Sequence, residues 1–99
     1  MFKFIRRLFY YVQADKNLKE ATALVAESLI QAGYPERVQD VYDNIEHNES
    51  GLALENLCEN LYDFSCPVPQ KAYDLLERSG LAMDVDKDYW ERLKPLIVK

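Results

Sequence analysis

Glu55 and Glu59 stand four residues apart in the run Gly51-Leu-Ala-Leu-Glu-Asn-Leu-Cys-Glu-Asn-Leu-Tyr-Asp63, one helical turn from each other. Such a pair could serve acid–base catalysis or join a carboxylate-bridged metal centre. The metal option needs a Glu-x-x-His pattern on facing helices, and no such pattern occurs in the chain. The catalytic option needs a shifted pKa, which is hard to sustain on carboxylates that the apolar pattern places away from the core. His47 is the only histidine, so a two-histidine metal site is ruled out, and its neighbours Asp43 and Glu46 do not complete a ligand set. It reads as a solvent-facing residue near a helix end. Seven residues separate Cys58 from Cys66, a spacing that fits neither a CxxC redox motif nor a zinc ribbon. Cys58 falls on an apolar face, where a thiol behaves as a small hydrophobe, and in the absence of a secretory signal both thiols are expected to be reduced. A Gly-rich phosphate loop and a Ser-His-Asp set are also missing from the sequence. No catalytic, cofactor or metal site is expected, and the chain does not read as an enzyme.

The same carboxylates make better sense as a display surface. At about 100° per residue, Leu54, Leu57, Cys58 and Leu61 share one helix face, while Glu55, Asn56, Glu59, Asn60 and Asp63 gather opposite, with no lysine or arginine among them. One side predicts core and the other a bank of hydrogen-bond acceptors for a basic partner. Charge along the chain agrees. Residues 1–10 carry three bases and no acid, residues 11–65 three bases against eleven acids, and residues 66–99 six of each. An acidic middle repels phosphate backbones and speeds encounter with basic proteins, so direct nucleic-acid binding is not expected.

The elements that must position these residues are helical. Met1 to Val12 opens like an export signal with its Arg6-Arg7 pair, but the apolar run ends at Val12 and meets Gln13, Asp15, Lys16 and Asn17, with no adequate apolar stretch or cleavage site. An amphipathic first helix is predicted instead, with Phe2, Ile5, Leu8, Phe9 and Val12 on one side and Lys3, Arg6 and Arg7 on the rest. A membrane-surface role suits a basic aromatic helix. Docking onto the core is the expectation, because a 99-residue domain buries only about two-thirds of its unfolded surface and has little apolar area to spare. A second helix starts after Asp15 as N-cap, carries Leu18, Ala21, Leu24, Val25, Ser28, Leu29 and Ala32, and stops at Gly33-Tyr34-Pro35. A third runs from Pro35 with Val38, Val41, Tyr42 and Ile45 inward and Glu36, Asp40, Asp43 and His47 outward. His47 to Gly51 breaks the period before the fourth helix, which contains the two carboxylates.

Phe64-Ser-Cys-Pro-Val-Pro69 cannot be helical, because prolines remove donors and push their predecessors toward extended geometry. A fifth helix begins near Pro69 with Ala72, Tyr73, Leu75, Leu76 and Ser79 inward, and Gly80 ends it or marks its last turn. A short sixth follows Asp86, carries Tyr89, Trp90 and Leu93, and stops at Pro95. No segment alternates long enough to predict a strand. The fold class is all-α, a compact bundle of five to six short helices in a single domain over residues 1–99.

Within that frame, Gly51 to Tyr62, the elbow with Pro67-Val-Pro, Tyr73-Asp-Leu-Leu-Glu77 and Asp88-Tyr-Trp-Glu-Arg-Leu-Lys-Pro-Leu96 together resemble the C-terminal half of MafI-type immunity proteins. These are small bacterial proteins encoded beside polymorphic and contact-dependent growth inhibition toxins. The likeness covers residues 49–97, and residues 1–48 match only in helical character. The resemblance implies a cytoplasmic immunity protein that binds and blocks a cognate toxin domain, a nuclease and by preference an EndoU-type ribonuclease. Charge places the expected contact on the outward faces of the third and fourth helices: Asp40, Asp43, Glu55, Asn56, Glu59, Asn60 and Asp63, with Tyr62 or Tyr42 as a rim aromatic. The alternative is a non-catalytic adaptor that uses the basic aromatic first helix to reach a membrane or another helix.

Overall fold

The computed structural model describes residues 2–98, with side chains from Tyr11 onward. From Gln13 to Asn17 the chain offers Gln, Ala, Asp, Lys and Asn, with neither glycine nor proline to break a helix. The first helix, α1, accordingly runs unbroken over Phe2–Gln31, thirty residues. This corrects the division into two helices with Asp15 as a cap. Asp15 lies inside α1, and its carboxylate accepts a hydrogen bond from Ser50 Oγ at 2.5 Å. Of the apolar face expected to dock near the start of α1, Phe2, Ile5, Leu8 and Phe9 lie outside the described side chains. Val12 is described, and it is 60% exposed rather than docked.

Four further helices follow: α2 (Pro35–Glu46), α3 (Ser50–Asp63), α4 (Gln70–Ala82) and the single turn α5 (Asp88–Glu91), then a 3-10 turn at Lys94–Leu96. Pro95 does not stop this last segment but sits in the first turn of the 3-10 helix, where its missing N–H costs nothing. The proline elbow is non-helical, as expected, but it also pairs. Val68–Pro69 (β1) lies parallel to Ile97–Val98 (β2), with Val68 opposite Ile97. Two residues are too few for the period of two that a strand prediction needs.

Four helix ends share one device. Tyr34, Glu49, Cys66 and Val85 each donate a backbone N–H to the carbonyl five residues back, on Leu29, Asn44, Leu61 and Gly80 respectively, at 2.8–3.0 Å. Each is preceded by a residue with left-handed backbone: Gly33, Asn48, Ser65 and Asp84. These are Schellman caps, which satisfy otherwise orphaned carbonyls and turn the chain back on itself. Asn48 and Asp84 tolerate that conformation; Ser65, at φ 50°, has the least reason to. Ser65 is exposed. Ser65→Gly is therefore expected to raise stability by about 0.5–1 kcal/mol, read as a shift in urea midpoint without change of slope.

The core forms where α1 lies against α4, with α2 and α3 closing the other side. Leu18, Val25 and Leu29 of α1, Leu54, Leu57 and Leu61 of α3, Leu76 of α4 and Trp90 of α5 are fully buried. Two buried hydroxyls find acceptors, Thr22 on the Leu18 carbonyl at 2.7 Å and Ser79 on the Ala14 carbonyl at 2.9 Å, the second tying α4 to α1. The Tyr73 hydroxyl has no partner among the described residues, and burial, ahead of nearby Glu77, Glu91 and Asp74, pushes the phenol up. No helix of the described residues is long and apolar enough to cross a membrane.

Candidate interaction surface

The acidic residues of α2 lie opposite its buried Val41 and Ile45. Asp40 and Asp43 are exposed, and the Asp43 side chain accepts from Gln39 Nε2 at 2.9 Å. His47 is exposed at the end of the helix, with Nδ1 2.7 Å from the Asp43 carbonyl oxygen. Its surroundings are those of a helix cap. Among the described residues no group of three or more His, Cys, Asp or Glu side chains could hold a metal ion.

On α3 the apolar half is core: Ala53, Leu54, Leu57, Cys58 and Leu61 are buried. Burial pushes the Cys58 thiol up to about 12, so it stays a neutral thiol at physiological pH. Burial raises Cys66 as well, and both cysteines are free. The polar half does not present its five residues equally. Glu59 and Asp63 are exposed at its centre, whereas Glu55, Asn56 and Asn60 are half-buried on its flanks. Beyond the end of the helix, Phe64 stacks on Tyr34 with ring centroids 3.9 Å apart and planes within 2°.

The flank that carries Glu55 and Tyr62 is bordered by the chain's C-terminal segment, which brings a base to a face that has none of its own. The Arg92 guanidinium carbon lies 5.5 Å from the centroid of the Tyr62 ring and 5.7 Å from that of Tyr89. Both distances suit cation–π attraction. Arg92 Nε also donates to the Asp88 carbonyl at 3.1 Å, which fixes the head of the side chain. Tyr89 in turn meets Glu55, which as hydrogen-bond acceptor and then as a charge holds the phenol above its ordinary value. Glu55→Gln should lower the Tyr89 pKa toward that value, since it removes the charge; ring-carbon NMR through an alkaline titration would show it, and an unmoved midpoint would refute the contact.

Sequence reasoning thus found the carboxylates but missed Arg92 and Tyr89 as their neighbours. Arg92 follows Asp88 by four residues and could be read as a local pair, but nothing in the sequence indicates that it crosses to Tyr62, thirty positions earlier. Asp40, Asp43, Glu59 and Asp63 make no ion pair among the described residues; the ion pairs there are Lys71–Glu20 at 3.1 Å and Lys94–Glu91 at 3.8 Å, both exposed. Tyr62, Asp63, Ser65, Arg92, Pro95 and Leu96 surround a shallow depression of about 450 Å³ beside the acidic centre of α3. Chemically, the surface offers carboxylates to a cation and a Tyr-Arg-Tyr stack to a flat or apolar group. No protein-family model, curated protein or solved structure matches this chain.

Proposed function

We propose that this chain is a non-catalytic immunity protein of the MafI type, which binds and neutralises a cognate bacterial toxin in the cytoplasm. The toxin is a nuclease, with an EndoU-type ribonuclease favoured. The observation that carries the reading is the exposure of Asp40, Asp43, Glu59 and Asp63 without a basic partner among the described residues. It is supported by the run from Gly51 to Tyr62 and the distal Asp88 to Leu96 through which the sequence resembles that family. A ribonuclease binds a polyanion and so has a basic cleft, and an inhibitor that sets acids at matching positions competes for the same field.

Tyr62, Tyr89 and Arg92 belong to the residue types that carry most interface energy, so the carboxylates steer and the stack anchors. Asp40, Asp43, Glu59 and Asp63 form the accessible part of the proposed contact; Glu55, Asn56 and Asn60 contribute at its edges. The experiment is co-expression with the protein encoded immediately upstream, followed by affinity capture at rising salt. A complex that weakens as ionic strength rises, and that suppresses RNA cleavage by the captured toxin, is the expected result. Absence of a complex would count decisively against this reading.

A further inference from the structure

We propose that the depression beside Tyr62 is a carboxylate site, in which Arg92 receives an acidic side chain of the toxin while Asp63 meets a base next to that acid. The proposal deepens the immunity reading and rests on it for the identity of the partner. Arg92 is set apart by its position. The acidic face of α3 carries no base of its own, and Lys94, the next base after Arg92, already pairs with Glu91. Arg92 itself is exposed and has no ion pair among the described residues.

Three contacts hold the guanidinium in place. Its carbon lies 5.5 Å from the Tyr62 ring centroid and 5.7 Å from that of Tyr89, and Nε donates to the Asp88 carbonyl at 3.1 Å. With Nε engaged, the two Nη groups remain, and an end-on pair of N–H donors matches the two oxygens of a carboxylate. The rings restrict the side chain beforehand, so little freedom is lost when an acceptor arrives. Glu55 does not take that role, because the Tyr89 hydroxyl engages it. A guanidinium covered by a partner that brings no acceptor loses its hydration without compensation. That cost selects against a toxin surface that offers bases alone.

Asp63 decides what must accompany the acid. It lines the same depression of about 450 Å³, opposite in sign to Arg92, with Pro95 and Leu96 alongside. A lone carboxylate there would meet the Arg92 fork and the Asp63 charge together, and the repulsion offsets part of the attraction. A carboxylate next to a lysine or arginine satisfies both groups. Glu59, exposed one turn before Asp63, adds to the pull on that base. The exposed carboxylates thus draw in basic proteins generally, and Arg92 selects among them.

The test uses a blocked dipeptide, acetyl-Glu-Lys-amide, titrated into the full chain and followed through the Tyr62 and Tyr89 ring resonances. Saturable shifts are expected. Acetyl-Gln-Lys-amide should bind about tenfold more weakly, since it lacks the charged acceptor. Arg92→Gln should cost the same factor, and Arg92→Lys should not restore it, because an ammonium keeps the charge but not the fork. Both variants should also weaken capture of the protein encoded immediately upstream by about tenfold, with circular dichroism unchanged. Equal binding of the two dipeptides, full binding by Arg92→Gln or full rescue by Arg92→Lys would overturn the inference. So would undiminished toxin capture by Arg92→Gln, or loss of fold in both variants, which would make Arg92 a structural residue. Dipeptide binding by a parent chain that captures no toxin would overturn the immunity reading alone and leave the carboxylate site standing.

Discussion

Trp90→Ala is expected to lower stability by about 3–5 kcal/mol, the range for truncating a large buried aromatic, and so to remove a large fraction of the roughly 5–15 kcal/mol typical of a small domain. Trp90 is the largest fully buried side chain, and it belongs to a helix of only four residues that has little else to hold it. What lets the ring in is Gly80. A Cβ built on Gly80 would lie 2.6 Å from Trp90 Cε3 and 2.7 Å from Cη2, inside the separation that real methyl groups keep. Gly80→Ala should therefore be destabilising, by about 1–3 kcal/mol from overpacking, although alanine in a helix interior normally gains about 0.5–1 kcal/mol over glycine. Urea unfolding gives the sign directly. A Gly80→Ala protein at least as stable as the parent would mean that the ring does not sit against this backbone. Because Arg92 lies two residues after Trp90, the same substitution should shift the Tyr62 ring resonances as α5 moves.

Glu59→Lys combined with Asp63→Lys is expected to weaken capture of the proposed toxin by several kcal/mol, because like charges set against a basic cleft are costly. Both side chains are exposed and neither is in an ion pair among the described residues, so circular dichroism and the unfolding midpoint should stay within about 0.5 kcal/mol of the parent. Glu55 is a poorer choice for this experiment, since a lysine there would also disturb Tyr89. Asp40→Lys with Asp43→Lys tests whether α2 shares the contact. A titration by calorimetry resolves these effects, and unchanged affinity in both pairs would move the interface off the acidic faces altogether.

The residues differ in how openly the sequence declared them. The inward stripes of α2, α3 and α4 were legible, since Val41, Ile45, Leu54, Leu57, Leu61, Ala72 and Leu76 recur at helical spacing and all are buried. The stops at Gly33 and at the proline elbow were legible for local reasons, a left-handed turn and missing donors. Asp15 misled because an acid before an apolar run is equally compatible with a cap and with a helix interior, and its acceptor role is satisfied by Ser50, thirty-five residues away. Gly80 was legible as a residue of the last turn of α4, but not for what it does there. α4 ends at Ala82, two residues on, and the glycine makes room for an indole that comes from α5.

By itself, then, the sequence determined the all-helical class, the apolar faces and the acidic character of α2 and α3, because each depends on spacing within a dozen residues along the chain. Only the tertiary structure decided that Val12 is left exposed, that β1 pairs with β2, and that Arg92 joins Tyr62 and Tyr89 at the border of the acidic face. Those features depend on which distant segments become neighbours. Helical periodicity says which face is buried but not against what, so the partner of each face is fixed by packing alone.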